Sequence, residues 1–146
     1  IDLGGNIICF GENPKSEYKI WRVGIQIPFS PTGTYEKTID IKKGAVVTSG
    51  NYQRYFEKDG EFYHHILDKN TGYPIENGLT AVTIISSSST DADALSTTCF
   101  SLGLEKGMEL LESLDDADGF FITSDEEYYY TEGFDENYQL EHLMVP

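Results

Sequence analysis

Apolar and polar residues alternate through most of the first half of the chain, the period of half-buried strands. Ile1 to Gly11 is apolar around a Gly4-Gly5 pair, and Tyr18 to Pro28 sets Val23, Ile25 and Ile27 on one face. Lys37 to Lys42 and Gly44 to Gly50 read as two short strands. Tyr52 to Phe56 and Glu61 to Ile66 flank Lys58-Asp59-Gly60, a hairpin turn in which glycine accepts a positive φ. After a turn at Thr71-Gly72-Tyr73-Pro74, Leu79 to Ser86 forms a further strand. The period then lengthens. From Thr90 the pattern is helical as far as Gly103, a C-cap, and Leu104 to Leu114 is a second helix with Leu104, Met108 and Leu111 on one stripe. Asp118 to Thr123 and Glu127 to Thr131 close the pattern as a hairpin. The predicted class is α+β, a mostly antiparallel sheet with an inserted helical pair.

The 146 residues suit one domain or part of one, and an apolar content of 39% supports a packed core. Charge changes the picture more. Twenty-five acidic against ten basic residues give a formal charge of -15. That balance argues against nucleic acid and anionic membrane surfaces as partners, because their phosphates need Lys and Arg to displace counterions. An anionic ligand enters such a field only with a bridging cation or local backbone donors. The pairs Asp115-Asp116, Glu126-Glu127 and Asp135-Glu136 read as solvated loops. Cys9 and Cys99 lie far apart, show no C-x-x-C spacing and bring no zinc ligand set. No apolar run is long enough to span a membrane. The chain opens at Ile1 within a strand-like run, so it reads as a segment that more protein precedes.

Candidate chemistry concentrates in three stretches. The first is TDADALSTTCF, Thr90 to Phe100. At about 100° per residue, Asp93, Thr97 and Phe100 fall within about 60° of one another, with Leu95, Cys99 and Leu102 opposite. Two readings stand. Thr90 is the N-cap and Asp93 the N3 carboxylate of a capping box, or Asp93, Thr97 and Ser96 offer oxygen ligands to a hard cation such as Mg²⁺ or Ca²⁺.

The second stretch is HHILDKNTG, His64 to Gly72, where a proton carrier, a carboxylate and the backbone donors of a Thr-Gly turn come close together. Its plainer reading is a strand-end histidine followed by an Asx-turn at Asp68. Strand alternation sends His64 and His65 to opposite faces, so only one of them can serve a shared site. The third stretch is VVTSGNYQRYF, Val46 to Phe56, in which Thr48, Ser49 and Gly50 either meet a phosphate or ring edge or simply end a strand. There is no P-loop, no G-x-G-x-x-G and no G-x-S-x-G elbow.

In this order, TSGNYQRYF, HHILDKNTGYPI and ADALSTTCFSLG resemble the ApbE family, the FAD:protein FMN transferases, with their TSG-x-Y-x-R, H-I-x-D-P-x-T-G and A-D-A-L-x-T segments. IDLGGNIICFG and the W-x-V-G-I-x-x-P of Trp21 to Pro28 fit upstream strands of that family. The likeness runs from Ile1 to Gly103 and more loosely beyond. Lys69 departs from it where the family has Pro, and Ser96 stands where some members have Asp.

The resemblance implies part of a T-fold-like domain that uses FAD and Mg²⁺ to move FMN onto a Thr or Ser hydroxyl of a target flavoprotein, releasing AMP. By similarity, Asp93 and Thr97 with Ser96 hold Mg²⁺, and His65 is the general base. Ser49, Gly50, Leu67, Asp68, Thr71 and Gly72 line the FAD site, and His64 is structural. Family members also carry an N-terminal half with further flavin contacts and a further magnesium ligand. The chain, residues 1–146, therefore reads as the C-terminal portion of one domain. Their membership of exported, often lipid-anchored proteins implies an extracytoplasmic parent tethered to the membrane through a preceding anchor. The alternatives are an FAD pyrophosphatase giving FMN and AMP, a flavin-binding module without turnover, and a fragment inactive on its own.

Overall fold

The computed structural model describes residues 1–31, 33–137 and 141–142. Its strands are β1 (Asn6–Cys9), β2 (Trp21–Gln26), β3 (Tyr35–Ile41), β4 (Gly44–Gly50), β5 (Tyr55–Lys58), β6 (Glu61–His64) and β7 (Leu79–Ser86). Helices α1 (Ser89–Leu102) and α2 (Leu104–Glu112) follow, then β8 (Ala117–Thr123), β9 (Tyr128–Tyr130), α3 (Glu132–Asn137) and β10 (Glu141–His142). A five-stranded sheet runs β1-β4-β7-β8-β9, a three-stranded sheet β10-β3-β2, and β5-β6 stands as a hairpin; every pairing is antiparallel. The α+β expectation of a mostly antiparallel sheet with an inserted helical pair holds.

Strand alternation sorts two cores. On β4, Ala45 and Val47 join Val82, Ile84, Phe121, Cys99, Phe100 and Leu111 between the large sheet and the helices. Val46 turns the other way, with Ala81, Ile85, Phe120 and Ile122, toward Val23, Ile25, Ile39 and Ile41 of the small sheet. The five-stranded sheet is thus the middle of three layers. Its strand β7 is buried at all eight positions, which is why it reads as a nearly unbroken apolar run. Both cysteines are buried and free.

Several boundaries depart from expectation for local reasons. Ile1 to Cys9 is not one strand but a tight hairpin. Gly4 and Gly5 take φ of 79° and 89° at its turn, and Leu3 N–H donates to the Asn6 carbonyl. The first arm of the second hairpin begins at Tyr55 rather than Tyr52, and its turn is the pair Asp59-Gly60, both at positive φ. Helix α1 starts on Ser88, whose hydroxyl accepts from Asp91 N–H, so Thr90 is not the cap and Asp93 is not at N3. Gly103 does end α1, donating to the Cys99 carbonyl. Of the acidic pairs, Asp115-Asp116 and Glu126-Glu127 fall in turns, while the backbone of Asp135-Glu136 lies in α3.

Candidate functional site

Alternation along β4 decides what meets α1. Residues 45 and 47 face the helices, so Ser49 does too, and Thr48 faces away to share a 2.8 Å hydrogen bond with Thr83. Ser49 Oγ lies 2.8 Å from Ser96 Oγ and 3.0 Å from Thr97 Oγ1. Ser96, fully buried, donates to the Asp93 carbonyl at 3.0 Å. Three hydroxyls and a carbonyl therefore form one seam between strand and helix.

The wheel needs correction here. The buried stripe of α1 is Ala92, Ser96, Cys99 and Phe100, whereas Leu102 is 43% exposed. Phe100 is buried in the core with Val47, Ile66 and Val82, the His64 ring meets it edge-on at 5.9 Å, and its backbone carbonyl accepts from the Asn77 amide at 2.6 Å. Asp93 and Thr97 thus border the buried stripe rather than oppose it, and both side chains are exposed. With Ser88 and Asp91 occupying the first turn, the Asp93 carboxylate carries no capping duty. An exposed carboxylate and a hydroxyl one turn apart form a hard-oxygen donor set that suits Mg²⁺. Among the described residues there is no cluster of three or more His, Cys, Asp or Glu placed for a metal, so such a site draws on hydroxyls and on ligands beyond them. Ser96 spends its proton on the Asp93 carbonyl from a buried position, which makes it a support for that pair rather than an open ligand.

The two histidines are held as opposite tautomers. His64 is buried; Ile66 N–H donates to its Nδ1 at 3.3 Å and its Nε2–H donates to the Ile75 carbonyl at 3.1 Å. Burial lowers its pKa, and the neutral ring bolts the segment to α1 through Phe100. His65 is exposed, and its Nδ1–H donates to the Arg54 carbonyl at 3.3 Å. Its Nε2 lone pair is then directed away from that anchor, the tautomer a general base requires.

Beyond His65 the chain folds on itself. Asp68 Oδ1 accepts from Thr71 N–H at 2.9 Å and Asn70 N–H at 2.8 Å, and these bonds hold its pKa below the usual carboxylate range. Gly72, at φ 72°, donates to the Asp68 carbonyl, and Leu67 bridges to Pro74. Asp68, Thr71 and Gly72 thus build one Asx-turn loop, with Leu67 52% exposed on its outside. Gly50 is buried: a Cβ there would lie 2.5 Å from the Tyr52 ring and 3.0 Å from the Thr80 carbonyl. It lets Tyr52 fold over the strand end.

Two concavities flank these elements. One, of about 680 Å³, is bounded by Asn51, His64, Tyr73, Ile75, Asn77 and Leu79. The other, of about 640 Å³, opens on the opposite face of the large sheet beside Gly4, Gly5, Thr48, Tyr52, Gln53 and Arg54. Sequence reasoning passed over Asn77, which caps the Phe100 carbonyl and also accepts from Leu79 N–H. An Asn-Gly pair ahead of a strand was its only local signal. Ser49, expected at the cofactor, lies against Ser96 and Thr97 at the seam between β4 and α1.

The sequence model of the ApbE family matches residues 1–121. An FAD:protein FMN transferase of Klebsiella pneumoniae (strain 342) is 43% identical over 123 residues, 84% of this chain and 36% of the relative. One of Treponema pallidum (strain Nichols) is 42% identical over 134 residues, 86% of this chain and 36% of the relative. Among solved structures, the flavinyl transferase ApbE of Pseudomonas stutzeri in its apo form superposes with a TM-score of 0.71 at 36% identity, covering 92% of this chain and 42% of that one. The flavin transferase ApbE of Vibrio cholerae gives a TM-score of 0.73 at 31% identity, with 92% and 42% covered. The chain spans little more than a third of the length of the curated relatives it matches.

Proposed function

The chain belongs to the ApbE family, and on that footing we propose that the protein carrying it is a Mg²⁺-dependent flavin transferase. It moves FMN from FAD onto a Thr or Ser hydroxyl of a target flavoprotein and releases AMP. The main support within the molecule is the α1 border, where Asp93 and Thr97 stand exposed one turn apart and the cap is supplied by Ser88 instead. These two would hold the cation, with Ser96 behind them. Once bound, Mg²⁺ offsets the diphosphate charge and the charge that develops on the phosphoryl oxygens.

The chain's own residues supply the rest. His65, fixed by Arg54, takes the acceptor hydroxyl proton on Nε2. The acceptor oxygen bonds to the phosphorus of the FMN half, the bond from that phosphorus to the bridging oxygen breaks, and AMP departs with that oxygen. The Asp68–Gly72 loop, with Leu67 outward, and the Ser49-Gly50 end of β4 frame the flavin nucleotide. The acidic surface is consistent with a diphosphate received by a cation rather than by a basic patch. The reading includes an extracytoplasmic, membrane-tethered parent protein.

The test is to incubate the intact protein with FAD, Mg²⁺ and an apo-flavoprotein acceptor. Flavin fluorescence surviving denaturing electrophoresis, with one AMP released per flavin attached, is the expected result. AMP and free FMN without attachment would make the enzyme an FAD pyrophosphatase. FAD binding with no AMP released would make it a flavin-binding module.

A further inference from the structure

Resting on the magnesium reading above, we infer that Ser49 is a positioning residue that turns the lone pairs of the Thr97 hydroxyl toward the cation. The direction of the hydrogen bonds follows from counting protons. The Asp93 carbonyl can only accept, so Ser96 donates its single proton there. The Ser49–Ser96 bond at 2.8 Å must then be donated by Ser49. With that proton spent, the 3.0 Å bond between Ser49 and Thr97 is donated by Thr97. Every proton in the seam runs inward from Thr97 to the Asp93 carbonyl, and the remaining lone pairs of Thr97 Oγ1 face the exposed side it shares with Asp93.

The neighbours of Thr97 show that this is not what a helix hydroxyl does by default. Thr98 donates to the Ala94 carbonyl at 2.7 Å, and Ser101 donates to the Thr97 carbonyl at 2.8 Å, each four residues back. The corresponding carbonyl for Thr97 is that of Asp93, which Ser96 already occupies. Ser49, reaching across from β4, gives Thr97 the alternative acceptor. Without it, Thr97 would compete for the Asp93 carbonyl or point its proton at the cation, and either arrangement weakens a hydroxyl ligand. Groups that orient metal ligands in this way are worth about 10–100-fold in affinity.

The experiment is isothermal titration of Mg²⁺ into the intact protein with and without FAD, alongside thermal melts and FAD binding in the absence of metal. Ser49→Ala is expected to weaken Mg²⁺ at least about 10-fold. Ser49→Thr and Ser49→Val, alike in shape and differing in the hydroxyl, control for packing. Threonine is expected to keep the affinity and valine to lose it. Equal affinities in that pair, or wild-type affinity in Ser49→Ala while Thr97→Ala loses the metal, would overturn the role of Ser49. If Asp93→Ala and Thr97→Ala themselves bind Mg²⁺ like the unaltered protein, the magnesium reading fails and the Ser49 role falls with it.

Discussion

The seam between β4 and α1 and the segment from His65 to Gly72 carry comparable shares of the candidate site, yet they are held in opposite ways. At the seam, Ser49 and Ser96 are anchored against a buried stripe of Ala92, Cys99 and Phe100, and their hydroxyls reach one another across the layers. The loop is exposed, and it keeps its shape through its own backbone, Asp68 gathering the N–H groups of Asn70 and Thr71. Ile66, buried in the same core as Ala92, Cys99 and Phe100, ties the two together, and beside it the His64 ring meets Phe100 edge-on. The contrast suits their proposed tasks. A small cation demands ligands fixed within tenths of an ångström, which a layered core provides. A base that must meet an incoming protein needs exposure more than rigidity.

Substitutions at the two regions should therefore separate in kind as well as size. Asp93→Ala is expected to cost the most, on the order of 10⁴-fold in Mg²⁺-dependent flavin transfer, the several kcal/mol that a metal contributes. Its melting temperature should stay near that of the unaltered protein, because Ser88 rather than Asp93 caps the helix. A large fall in melting temperature with activity retained would reverse the assignment. His65→Ala comes next, about 10³-fold slower in turnover with FAD affinity kept. Wild-type turnover in that variant would remove His65 from the mechanism.

What the chain announces locally, the fold repeats. The alternation of VGIQI and GAVVTSG, the Asp59-Gly60 turn, the Gly103 cap and the opposite facing of His64 and His65 all follow from periods and turn chemistry. What failed was decided by distant partners. Thr90 reads as the cap in sequence, but the helix begins earlier and Ser88 takes that place, accepting from Asp91 N–H. Phe100 and Leu102 are equally apolar on a wheel, and Phe100 is the one that packs into the core against residues of distant strands and the His64 ring. Ser49 and Ser96 are 47 positions apart, so nothing local announces their bond. The candidate site residues are legible because they lie in contiguous motifs. Their supports are not, because they are tertiary.

The cap offers a smaller test of the same contrast. Ser88→Ala leaves Asp91 N–H without its side-chain acceptor and is expected to cost about 1 kcal/mol in denaturant unfolding. Mg²⁺ affinity should be nearly unchanged, since the seam lies further along the helix. A loss of metal affinity comparable to that of Asp93→Ala would mean that the helix start and the seam are one unit.

The finest distinction lies between the adjacent histidines and is read in the pH dependence of stability. His64 is neutral in the fold, its Nδ1 accepting from Ile66 and its Nε2–H donated to Ile75, and burial holds its pKa below the ordinary value. In the unfolded chain the ring takes its proton near a pKa of about 6.5. Below that pH the unfolded state binds more protons than the folded one, so stability falls as pH drops, and the decline continues until the lowered folded-state pKa is reached. Above pH of about 7 the contribution is flat. Melting curves between about pH 5 and 8 should therefore slope downward toward acid for the unaltered protein and for His65→Gln. In His64→Gln, at a lower overall stability, that part of the slope should vanish. A slope that survives in His64→Gln and disappears in His65→Gln would show that the exposed ring, not the buried one, couples protonation to the fold.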